Sequence, residues 1–189
     1  MRSRRPRIPL RRRVFLGCEG ESEQSYGALL ARLTEDRHKR IHLDTAVLQP
    51  GAGDPLALVE RAVAVLEQRS ARNGPYAVRA VLIDSDTRGA VAERDVRLRN
   101  LARDHDIRII WQTPCHEALL LRHILGCEAL RPSDARQAEA ELRRHWPAYR
   151  KGLPAARLAS LIGVADVARA ALQDSELRAF LAEIEFPDL

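Results

Sequence analysis

Long apolar runs are missing from this sequence. No stretch approaches the roughly 20 consecutive apolar residues that a membrane-spanning helix needs, so no membrane-embedded role is expected. Cysteine is scarce and odd in number: Cys18, Cys115 and Cys127, with no Cys-x-x-Cys pair. This argues against a disulfide framework and a structural zinc site, and fits reduced thiols in a cytoplasmic protein. No internal repeat or low-complexity segment is visible. Lysine is nearly absent, at Lys39 and Lys151 alone. That rarity draws attention to Lys151.

What is present is a chain of 189 residues, 46% hydrophobic and 30% charged, the profile of one globular domain with room for a small extension. Seven arginines, Arg2, Arg4, Arg5, Arg7, Arg11, Arg12 and Arg13, crowd the first 13 residues. Removing their seven charges from the net +5 leaves −2 on the rest, so the basicity belongs to a tail over residues 1–12 and its junction with the domain. Arg4, Arg5, Arg7, Arg11, Arg12 and Arg13 are candidate phosphate contacts for a nucleic acid. The competing reading is a solubilising end or a misassigned start. No 7–15-residue apolar segment follows the arginines, so a secretory signal is not expected.

Periodicity divides the chain into alternating strands and helices. Val14–Gly17 reads as a buried strand, followed by a helix from Ser22 to about Arg37 and a strand from Ile41 to Leu48. Asp54-Pro55 caps a helix that Asn73-Gly74-Pro75 stops. Val78–Ile83 is a strand with Asp84 at its end, Val91 to about His105 a helix, and Ile107–Trp111 another strand. Thr113-Pro114 opens a helix to Leu125. Such alternation predicts βαβ units, a mostly parallel sheet and a core over residues 13–130. Residues 131–189 read as a helical extension: Ser133 capping a helix to Trp146, then Leu158–Leu172 and Ser175–Ile184. Pro147 and Pro154 flank a loop with Tyr149-Arg150-Lys151.

In an open parallel sheet, ligands gather beyond the carboxyl ends of the strands. Glu19 follows the first strand, Asp84 and Asp86 the third, and Glu117 lies one turn into the helix after the fourth. Alternate residues leaving a strand project to one side, so Asp84 and Asp86 make a pair of hard oxygen donors suited to Mg²⁺ or Mn²⁺. The ordinary alternative is that these acids cap helices, and Glu21 and Glu23 merely favour a helix N-terminus. Other sites fare worse. Gly17-x-x-Gly20 lacks the Gly-Lys-Ser/Thr of a phosphate-binding loop. His116-Glu117 resembles the start of a zinc-protease helix, but position 120 is leucine. His116 and His123 lie two turns apart, about 10 Å of rise, too far to chelate one metal. Cys115 reads as a buried thiol rather than a nucleophile.

Three segments carry a family resemblance: Phe15 to Glu23 with Tyr26 following, Leu82-Ile83-Asp84-Ser85-Asp86, and Thr113-Pro114-Cys115-His116-Glu117 running on to His123. A weaker fourth is Tyr149-Arg150-Lys151. In this order they resemble the RloB-like family, within a TOPRIM-like superfamily that includes the nuclease halves of OLD-type proteins. The chain departs from the pattern at His116, where an aromatic is usual, and at Ala118-Leu119, where bulkier residues are usual. The resemblance implies a Rossmann-like TOPRIM α/β fold and an Mg²⁺-dependent endonuclease that hydrolyses DNA or RNA phosphodiesters, working in phage defence beside an ABC-type ATPase. Carried over, Glu19 is acid/base or metal-bound, Asp84 and Asp86 are metal ligands, and Glu23 and Glu117 complete a second metal or orient water. Lys151 meets the phosphate, and His116 and His123 stand behind the carboxylates, His123 either orienting one or satisfied in the core. Two readings compete: a catalytically silent regulatory or nucleic-acid-binding module, and a phosphotransferase using Asp84 as nucleophile.

Overall fold

A computed structural model describes residues 11–35, 41–48, 54–86, 88–89 and 91–189. Strand β1 (Arg12–Cys18) leads into helix α1 (Glu21–Glu35), β2 (Ile41–Val47), α2 (Pro55–Asn73), β3 (Val78–Asp84), α3 (Ala92–Asp104) and β4 (Arg108–Gln112). Five further helices follow: α4 (His116–Arg122), α5 (Ala135–His145), α6 (Ala155–Leu158), α7 (Val164–Ala171) and α8 (Ser175–Glu183). The four strands form one all-parallel sheet in the order β2-β1-β3-β4.

The sheet is buried on both faces, as parallel sheets generally are, and strand alternation sorts the core in two. Val14, Leu16 and Cys18 of β1, Ala80 and Leu82 of β3 and Ile110 of β4 point to the layer made by α1, α4 and the C-terminal helices. Phe15, Val81 and Ile83 point to the layer of α2 and α3. The first core runs without interruption into Leu142, Leu158, Val167, Leu177 and Phe180, so the C-terminal helices share the main apolar core. Close packing of α1 on β2 depends on Gly27: a Cβ there would lie 2.7 Å from Thr45 Cγ2 and 3.0 Å from Leu16 Cδ2. Gly27→Val is therefore expected to cost about 1–3 kcal/mol by overpacking, measurable by urea unfolding.

On the α2 face, Asp44 of β2 accepts from Arg13, Arg69 and Tyr76, and the Arg13 guanidinium lies 3.9 Å from the Tyr76 ring centroid. Arg11 pairs with Glu35, and Arg12 stands 3.7 Å from Glu185. The three described arginines of the basic segment thus contact the folded domain; Arg4, Arg5 and Arg7 lie outside the described residues.

Three helix boundaries correct the sequence reading. Asp134, not Ser133, caps α5, its carboxylate accepting from Gln137 N–H while Ser133 binds the Gln137 side chain. The helix expected over Leu158–Leu172 starts only at Val164, because the short α6 ends at Leu158 and the chain turns before Gly163, where Asp166 Oδ2 accepts the Gly163 N–H. The helix after β4 ends at Arg122 rather than Leu125. No helix among the described residues is long and apolar enough to cross a membrane.

Candidate metal centre

Strand order reverses direction between β1 and β3, and this switch point is where open α/β sheets place their ligands. Glu19 leaves β1 and Asp84 ends β3 at that position, and Glu19 Oε2 accepts the Asp84 N–H at 3.1 Å. Glu23, in the first turn of α1, is buried, and its Oε2 accepts the Gly20 N–H at 2.9 Å. Asp86 is exposed two residues beyond Asp84. Glu117, buried in the first turn of α4, approaches from the next loop.

Asp84 shows how close these charges are. Burial, followed by the charges of Glu19, Glu23, Glu117 and Asp86, pushes its carboxyl up to about 8. Its Oδ1 is buried without a hydrogen-bond partner. Five acids, drawn from two strand ends, a loop and two helix starts, therefore act on one another.

The loop between α5 and α6 closes over this end of the sheet. Gly152 N–H donates to Ser22 Oγ at 3.1 Å, and Tyr149 Oη donates to Glu117 Oε1 at 3.0 Å. Lys151 Nζ stands 3.5 Å from the same Glu117 oxygen, with its side chain 62% exposed. Burial alone would raise the Glu117 carboxyl. Its own backbone N–H, the Lys151 ammonium and hydrogen bonds from Cys115 and Tyr149 outweigh that and hold it below its ordinary value. Glu117 in turn raises Lys151.

His116 sits behind the acids, with Nδ1 2.6 Å from Gln112 Nε2 and 3.7 Å from Glu23 Oε1. Burial lowers its basicity against the pull of Glu23 and Glu117, which leaves a neutral ring beside two carboxylates. His123 lies elsewhere. Its ring nitrogens meet Tyr26 Oη at 3.0 Å and the Leu119 carbonyl at 2.9 Å, and burial brings it down to about 4. Of the two roles read for it, the structure places it in the satisfied core. Cys115 is buried and its thiol is pushed up to about 12, chiefly by burial. An unreactive thiol fits that environment.

The family model for RloB-like proteins matches residues 14–179. The chain belongs to the RloB-like protein family. No curated protein and no solved structure matches it. In this RloB-like chain the matched segment runs from β1 into α8, and so takes in every acid of the cluster and the Lys151 loop.

Sequence reasoning missed Tyr149 and Gln112 as parts of the site. Tyr149 belongs to the Tyr-Arg-Lys block, and its neighbour's charge drew the attention that its own hydroxyl warranted. Gln112 carried no signal, because only the strand register shows that it lies beside Asp84.

An Mg²⁺ or Mn²⁺ ion suits the donor set: hard carboxylate oxygens, one of them buried and unpartnered, repelling one another. As they stand, no three His, Cys, Asp or Glu side chains among the described residues are grouped to hold an ion. Glu19, Glu23 and Glu117 each have an oxygen turned to a protein donor.

Proposed function

We propose that this protein is an Mg²⁺-dependent nuclease of the TOPRIM type, hydrolysing a DNA or RNA phosphodiester. One observation carries the reading: acids remote in sequence converge on the β1/β3 switch point around a half-buried Asp84 whose charge they oppose. A chain has little reason to gather mutually repelling carboxylates for stability, since each resists ionisation of the next.

Asp84, Asp86 and Glu19 would hold the ion, with Glu23 and Glu117 completing the set. Bound there, Mg²⁺ neutralises phosphate charge and makes water a better nucleophile. The remaining roles belong to the chain. The Asp84 N–H fixes Glu19 at the end of β1, where a carboxylate can accept a proton from an attacking water. Tyr149 holds Glu117 by one oxygen, and the neutral His116 ring backs Glu23. Lys151, anchored beside Glu117 on an exposed side chain, is placed to meet phosphate charge at the rim. Work beside an ABC-type ATPase in phage defence belongs to the same proposal and rests on the family membership.

The test is cleavage of single- and double-stranded DNA and RNA in Mg²⁺ or Mn²⁺, with EDTA as control. Glu19→Gln is expected to reduce the rate by about 10²–10⁴-fold, the usual share of a general acid or base, with an unchanged far-UV spectrum. If it cuts as fast as wild type, the assignment of the centre is wrong. If wild type cuts nothing with either ion, a silent regulatory module becomes the better account.

A further inference from the structure

Helix α3 covers its side of the sheet incompletely. Only Leu98 and Ala102 of that helix are buried, so most of its surface faces away from the sheet. Between the helix and the edge strand β4 lies a groove of about 430 Å³ lined by Arg99, Arg103, Arg108, Ile109, Trp111 and Glu176, among others. That volume suits a nucleotide-sized group. We propose that this groove binds a single-stranded polynucleotide and guides it to the carboxylate centre, an inference that rests on the nuclease reading and names its entry path.

Three features support it. The first is position. Trp111 pairs in register with Ile83, so the groove's upper end lies one strand and one residue from Asp84. Arg88, two residues beyond Asp86, has its guanidinium 4.9 Å from the Trp111 ring centroid. From there the groove follows β4, whose five residues span about 17 Å. The second is charge. Arg99 makes no ion pair among the described residues, and Arg103 is 72% exposed beside Asp104. The acids lining the groove are Asp106 and Glu176, and Glu176 is already met by Arg108 at 3.5 Å. Arg103 lies against Asp104, and Arg108 lies between Glu176 and Glu183, so the positive charge left to meet phosphate is that of Arg99 and of Arg88 at the mouth. The third is the pairing of a half-buried indole with an arginine at the mouth. Successive unpaired bases stack on such aromatic and guanidinium faces, which a paired duplex cannot offer.

The test is fluorescence anisotropy with labelled oligo-dT, oligo-U, a hairpin duplex and an abasic deoxyribose-phosphate strand, all in EDTA. EDTA removes cleavage and any ion bridge, so the groove reports alone. Full-length wild type is compared with Arg99→Glu/Arg103→Glu, with Arg94→Glu/Arg97→Glu on the same helix, and with Trp111→Leu. Arg94 and Arg97 give the same charge change but face Asp54 and Glu60 of the α2 region. The groove pair is expected to weaken single-strand binding at least about 10-fold and the control pair by less than about 3-fold. Trp111→Leu is expected to weaken binding of the base-bearing strands about 5–150-fold, the range of one stacked base, and to leave the abasic strand unchanged. Far-UV spectra and melting curves confirm that each variant is folded. Whether DNA or RNA is the substrate is read from the dT and U arms, and groove-dependent binding of either supports the proposal. Equal losses from both arginine pairs, or tighter binding of the duplex, would overturn it. Groove-dependent binding without any cleavage in Mg²⁺ would sink the nuclease reading alone. Cleavage with an unchanged KM in Arg99→Glu/Arg103→Glu would sink the groove alone.

Discussion

Asp84→Asn is expected to reduce Mg²⁺-dependent cleavage by at least about 10³-fold and, in the same sample without metal, to raise the melting temperature above neutral pH. The first effect follows from the metal role proposed for Asp84, whose loss would remove several kcal/mol of charge stabilisation in the transition state. The second follows from linkage. The Asp84 carboxyl sits near 8 in the folded chain, against 3.8 as its ordinary value. The folded state therefore holds a proton that the unfolded state has released, and folding stability falls as pH rises between those values. Below about pH 4 the group costs nothing; from about pH 4 to 8 the penalty grows; above 8 it is constant. Asparagine removes it, for a gain on the order of 2–5 kcal/mol at pH 8–9. Thermal melts of both proteins from pH 5 to 9 in EDTA check this. Parallel curves for wild type and variant would mean that Asp84 does not sit among opposing charges. Added Mg²⁺ should raise the wild-type melting temperature at pH 8 and leave the variant nearly unmoved.

Phe180→Ala is expected to cost about 3–5 kcal/mol, a large part of the total stability of a domain this size. Phe180 is fully buried in the core that also contains Leu16, Leu82 and Leu119, so its ring is shared between the sheet and the C-terminal helices. Because α8 packs with α7 and against β4, the loss is expected as one cooperative transition at lower denaturant, with the slope unchanged. Separate melting of residues 131–189 in Phe180→Ala would show that the helices form an independent unit.

The strands were the most legible part of the chain. Val14–Gly17 and Val78–Ile83 are short, nearly unbroken apolar runs bounded by turn signals, the pattern of a strand buried on both faces. Asp54-Pro55 and Asn73-Gly74 placed α2 because a cap and a stop act locally. The C-terminal helices were harder. The apolar spacing from Leu158 to Leu172 continues through Gly163, and only packing decides that the chain breaks there. Within the candidate site, the strand-end acids could be found because strand direction fixes which end carries ligands. Reach across the fold could not: that Lys151 and Tyr149 meet Glu117 depends on the course of a proline-flanked loop, and no local pattern encodes it.

The wide span of the centre along the chain bears on how the protein is made. Its acids begin at Glu19, its lysine comes at position 151, and Gly152 ties that loop to Ser22. A ribosome that has delivered only the first three strands has produced no complete set, and a fragment cut off before the loop can never acquire one. In the proposed nuclease, cleavage would thus stay silent until the Lys151 loop has been made and has docked on α1.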